Sequence, residues 1–72
     1  MTNTDLLMQY IKDSGLKLQF IADKMNISRA ALNMKIHNKS EFRTGEIETL
    51  CGLVGIEGVN ERHKVFFWNQ GR

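Results

Sequence analysis

The sequence predicts an all-α fold, a compact bundle of four or five short helices, on three observations. Apolar residues recur at helical spacing through nearly the whole chain, and proline is absent. Glycine or asparagine follows several of the apolar stripes, where a helix commonly ends in the left-handed conformation. The 72 residues leave room for one domain, spanning 1–72. A chain this short buries only about 60% of its unfolded surface, so its core must be simple and well packed.

Leu6, Leu7, Tyr10 and Ile11 form one stripe on a first helix from Thr4 to Ser14. Thr4 or Asn3 can cap it, Asp5 suits its positive end, and Gly15 can stop it. A second helix from Leu18 to Met25 places Ile21, Ala22 and Met25 on one face, and Asn26 tolerates the positive φ of a sharp stop. Ser28 is a good N-cap for a third helix, 28–37, whose buried positions are Leu32 and Ile36. Asn38, Lys39 and Ser40 are turn formers that end it. A fourth helix is expected after Thr44 as cap, with Glu46 near its positive end and a stripe of Ile47, Leu50, Cys51 and Val54 up to Gly55. In the tail, Asn60 can cap a short fifth helix carrying Val65 and Phe66, although residues 65–68 also read as a strand. Five helices are the preferred reading, with 57–72 as a dimerisation or capping segment.

Composition narrows the class. At 42% apolar and 25% charged, the chain reads as an ordinary globular domain rather than a disordered tail. A single cysteine, Cys51, permits neither an internal disulfide nor a multi-cysteine zinc site, and on an apolar stripe it reads as a small buried hydrophobe. His37 and His63 stand far apart with no cysteine or acidic cluster near them, so no metal and no cofactor is expected. No apolar run approaches the roughly 18 residues of a membrane span, and no signal peptide opens the chain, so the expected location is cytoplasmic. No nucleophile with a paired base, glycine-rich phosphate loop or carboxylate pair is present, and the chain is not expected to be an enzyme. The net charge of +2 is small, but its distribution is uneven. Lys24, Arg29, Lys35, Lys39 and Arg43 crowd the middle third against the single acid Glu41, while the flanks are neutral to acidic. That pattern fits one face meeting phosphates.

The segment from Ile21 to Asn33 concentrates the functional signal. Ala22 is small enough for the second and third helices to cross closely, Asn26 makes the turn, and Ile27 and Leu32 pin the third helix to the core. Arg29, Asn33 and His37 are spaced by four and share an outward face, with Ala30 and Met34 beside them. Arginine can pair with guanine, asparagine can bridge the edge of adenine, and alanine can meet the thymine methyl. A helix read from its N-terminal residues in the major groove is the docking mode of the helix-turn-helix, here placed at about 16–38. Base contacts are therefore expected from Arg29, Ala30, Asn33 and His37. Phosphate contacts are expected from Lys17 and Gln19 at the start of the second helix, from Ser28, and from Lys35, Asn38, Lys39, Ser40 and Arg43 around the other end. The bland reading of the same residues is a solvated helix face with solubilising charge.

The run Ile21 to Met25, the turn Asn26-Ile27-Ser28, and the apolar pair Leu32 and Ile36 resemble the Xre/Cro-type helix-turn-helix regulators. Residues 32–39, then Phe42, Glu46 and Ile47, are similar to the small phage repressor-like branch, found also on mobile elements. Leu50, Leu53 and Ile56 extend the resemblance, which covers roughly Leu6 to Ile56. Where the family often has glycine in the turn and after the third helix, this chain has Asn26 and Asn38. Where it often has a DNA-touching glutamine early in the second helix, this chain has Leu18 or Gln19. The resemblance implies a lambda repressor-like domain that binds operator DNA, usually as a homodimer, and represses transcription.

A second reading comes from the apolar surplus. Leu18, Phe20, Met34, Phe42, Phe67 and Trp68 exceed what the core stripes require. Some could form a dimer interface, or a surface for a protein partner such as a toxin masked by its antitoxin. Alternatively, Phe42 and Phe66 complete the core and Trp68 lies over its rim.

Overall fold

The computed structural model describes residues 1–68. Five helices follow one another: α1 (Thr4–Ser14), α2 (Leu18–Met25), α3 (Arg29–Ile36), α4 (Thr44–Val54) and α5 (Val59–Phe66), with no strand among the described residues. The alternation between strand and helix at 65–68 is thus resolved: Val65 and Phe66 finish α5 and are buried. The C-terminal part of the 57–72 segment, 69–72, lies outside the described residues.

Local chemistry sets most of the boundaries. The Asn3 side chain accepts from the Leu6 N–H to cap α1, and Gly15 closes it at φ 74°. Asn26 does the same for α2 at φ 61°, and Ser28 accepts from the Ala31 N–H to open α3. Two starts differ from the sequence expectation by one or two residues. Thr44 is the first residue of α4 rather than its cap; Arg43 takes the cap position, and its N–H donates to Glu46 Oε1 at 2.9 Å. The longer glutamate reaches back over the first turn and satisfies the Arg43 N–H, while no side chain at the cap accepts from the first turn. Likewise α5 begins after Gly58, whose φ of 88° suits glycine, so Asn60 falls inside the first turn.

The core is one cluster: Leu7 and Ile11 from α1, Ile21, Ala22 and Met25 from α2, Leu32 and Ile36 from α3, Leu50, Cys51 and Val54 from α4, then Ile56, Val65 and Phe66. Helix α2 packs on α3 and α4, and α1 packs on α3, α4 and α5. The radius of gyration is 11.2 Å, the value a compact chain of this length should have. Phe42 meets Phe66 edge to face at 5.4 Å, so this pair completes the core from its rim. Burial pushes the Cys51 thiol above its ordinary value, which keeps it protonated and unreactive.

Helix α5 is tied down by polar contacts as well as by its two buried residues. The Asn3 N–H donates to the Val65 carbonyl at 2.7 Å, and the Tyr10 hydroxyl donates to Glu61. That hydrogen bond to a carboxylate pushes the phenol up to about 12. Arg62 adds an ion pair to Glu48 of α4. None of the helices among the described residues is long and apolar enough to cross a membrane.

Candidate nucleic-acid interface

The surface in question is built on α2, α3 and the three residues between them. After Met25 the chain takes one left-handed residue, Asn26, whose N–H donates to Asp23 O at 3.1 Å. The Ile27 N–H then donates to Ala22 O at 3.0 Å, and Ile27 packs against the core. Ser28 returns to extended geometry, φ −74° and ψ 158°, and α3 begins. Leu32 and Ile36, both fully buried, fix which side of α3 faces inward.

With that side settled, Arg29, Ala30, Asn33 and His37 all lie on the exposed side. Among the described residues, the side chains of Arg29, Asn33 and His37 take part in no hydrogen bond or ion pair. Three of these four residues are also brought together with α2. Leu18, Arg29, Ala30 and Asn33 line an open cleft of about 300 Å³. In sequence Leu18 reads as surplus apolar surface, or as the residue standing where the resembled family has a DNA-touching glutamine; its position across from α3 is a product of the turn geometry. Met34, beside the stripe, is 49% exposed.

The eight residues expected on the phosphate rim divide into two groups. Lys17, Lys39, Ser40 and Arg43 are exposed, and Lys17 occupies the N-cap position of α2, where the first N–H groups and the helix dipole favour an anion. The other four already hold intramolecular partners. Gln19 donates to Asp23 at 2.9 Å, and Ser28 caps α3. The Lys35 ammonium donates to Glu41 O at 2.9 Å and sits 3.1 Å from Glu46 Oε1, with its side chain only 12% exposed. The Asn38 amide is engaged at both ends: Thr2 N–H donates to Oδ1 at 2.8 Å, and Nδ2 donates to Thr2 O at 2.9 Å.

Glu46 feels the Lys35 charge directly. Burial alone would raise its carboxyl, but the Arg43 N–H and the Lys35 ammonium outweigh that and hold it below the ordinary 4.5. On the opposite side of α2, the Lys24 ammonium lies 5.3 Å from the centre of the Phe20 ring, which shields part of an exposed aromatic. Among the described residues no group of three or more His, Cys, Asp or Glu side chains could hold a metal ion.

No protein-family model, curated protein or solved structure matches the chain.

Proposed function

We propose that this protein is a sequence-specific, DNA-binding transcriptional regulator of the helix-turn-helix type, with α3 lying in the major groove. The observation that carries the reading is the exposed stripe Arg29, Ala30, Asn33 and His37, unpartnered among the described residues, on a helix whose opposite side is fully buried. Long polar side chains with free donors and acceptors, held on a rigid scaffold, are what base-edge readout requires. Four exposed groups, Lys17 at the start of α2, Lys39 and Ser40 after α3, and Arg43 at the cap of α4, supply the phosphate contacts that set register. The residue pattern's likeness to small phage and mobile-element regulators makes repression the preferred outcome. An operator of two half-sites about 34 Å apart would then be bound by a homodimer.

Selection of bound sequences from random duplexes at two salt concentrations tests the proposal. The expected result is an enriched motif and affinity that falls with salt. No enrichment, with no binding even at low salt, overturns it. Replacing Arg29 by Ala should weaken operator binding by about 1–3 kcal/mol and relax one base position. Equal loss on operator and random DNA would make Arg29 a phosphate anchor instead.

A protein-interaction role, as in an antitoxin, has one specific observation in its favour. Phe20, Phe67 and Trp68 are 43%, 54% and 38% exposed. Co-purification of a partner protein, with no DNA selected by the chain alone, would favour that reading.

A further inference from the structure

We infer that the cleft between α2 and α3 is a thymine-methyl pocket, and that Leu18 is a specificity-determining residue of the interface. The inference rests on the DNA-binding reading and goes further by naming what the cleft reads. Its lining is mixed in a particular way: Leu18 and Ala30 supply apolar surface, and Arg29 and Asn33 supply the polar groups. No acidic side chain lines it, so nothing in the cleft repels a phosphate backbone. Its volume of about 300 Å³ is at the bottom of the range for small-molecule pockets, roughly 300–1,000 Å³, and it is open, which suits one base edge better than a whole enclosed ligand.

The choice of base follows from what the major groove displays. Guanine offers two acceptors, adenine an acceptor and a donor, and cytosine a donor; only thymine presents an apolar group, its C5-methyl. Against the Leu18 and Ala30 wall itself a cytosine amino group finds no acceptor, whereas a methyl needs none there. Arg29 and Asn33 are both polar and, among the described residues, both without an intramolecular partner, so they are free to bond purines neighbouring that thymine. The read-out is then a thymine flanked by or paired with purines, with the methyl seated between a leucine of α2 and an alanine of α3.

The direct test uses the unaltered protein and altered DNA. Each thymine of the selected operator is replaced in turn by deoxyuridine, which removes only the methyl and keeps the pairing. One position per half-site should lose about fourfold in affinity, the value of one buried methyl-sized group. The other thymines should be indifferent. If every replacement is neutral, the inference fails while the DNA-binding reading stands; if no operator is enriched at all, the reading and the inference fail together.

A second measurement assigns the pocket to its residues. Leu18 packs against the core, so Leu18→Ala is paired with Ala30→Ser, which alters the exposed wall alone. For each folded variant the thymine-to-deoxyuridine affinity ratio at that position should fall towards one. A ratio unchanged in both would place the methyl elsewhere and overturn the inference.

Discussion

The two ends of α3 are held by different kinds of interaction. At its N-terminal end the ties are short in sequence: Asn26 to Asp23, Ile27 to Ala22, and Ser28 to Ala31. At its C-terminal end, local bonds such as Lys39 N–H to Met34 O are joined by long ones. Thr4 Oγ1 donates to Ile36 O at 2.6 Å, Thr2 and Asn38 exchange two bonds, and Lys35 crosses to Glu41 and Glu46. The end expected to enter the groove is therefore shaped by its own neighbours, while the far end is clamped by the rest of the domain. Under the proposed function, an entry end set by local geometry would keep Arg29 and Asn33 in place through small distortions elsewhere. A clamped far end fixes the angle at which the helix leaves the body.

The largest break in this arrangement should come from the buried side of α3. Ile36 is fully buried directly above the clamped end, and Ile36→Ala removes its packing and leaves a cavity. The expected loss is about 2–5 kcal/mol, read from urea unfolding. In a domain of this size that is a large share of the total stability. A loss under about 1 kcal/mol would mean that the core closes over the site and that packing there is loose.

The two left-handed asparagines give a sharper comparison. Asn26 and Asn38 have nearly the same backbone, φ 61° and φ 64°, but only the Asn38 side chain is bonded across the molecule. Alanine at position 26 should cost about 1–2 kcal/mol, the left-handed penalty alone. At position 38 the same change also removes two part-buried hydrogen bonds and should cost about 1–2 kcal/mol more. Glycine separates the two contributions, since it accepts the backbone at no steric penalty. Asn26→Gly should be close to neutral and Asn38→Gly clearly destabilising. Equal effects at the two sites would show that the Thr2 clamp contributes nothing in solution.

Ser28→Ala probes the local end by itself. It removes the one side-chain bond that opens α3 and should cost about 1 kcal/mol. Operator affinity should fall alongside, because the first turn carrying Arg29 and Ala30 frays. A stability loss without any change in binding would show that DNA re-forms the turn.

This division also explains what could be read in advance. Helices α1, α2 and α3, the Asn26 turn, the Ser28 cap and the outward stripe all depend on residues within a few positions of one another, and spacing alone locates them. The starts of α4 and α5 are displaced because Arg43, whose N–H is bonded by Glu46, and Gly58, at a positive φ, take the cap positions expected for Thr44 and Asn60. Lys35 and Asn38 looked like free rim residues because their partners, Glu46 and Thr2, lie far off in the chain and carry no periodic signal. Leu18 looked like spare apolar surface for a similar reason. Its neighbours in the cleft, Arg29, Ala30 and Asn33, become neighbours only once the turn has folded α3 back across α2.

The smallest effect expected concerns the ion pair at the clamped end, and its sign follows from Glu46. The carboxyl is held below its ordinary value of 4.5 in the folded protein, so the pairing stabilises fully at pH values above that figure. As pH falls through the lower folded value, Glu46 takes up a proton, its bond to Lys35 weakens, and the contribution is lost. With both side chains largely covered, at 12% and 14% exposed, this should amount to roughly 1 kcal/mol or less, since even good pairs near a surface are worth little. Other carboxylates also titrate in that range, so the comparison must be with Glu46→Gln. Its stability should lie below that of the parent at pH 7, and the two curves should converge in acid. Salt offers a cross-check, because a covered pair is screened less than an exposed one such as Arg62 with Glu48. If the difference between parent and Glu46→Gln is the same at acid and neutral pH, the glutamate acts at Arg43 as a neutral hydrogen-bond acceptor. The far end of α3 would then be held by Thr2, Thr4 and the Lys35 bond to Glu41 O, without an ion pair.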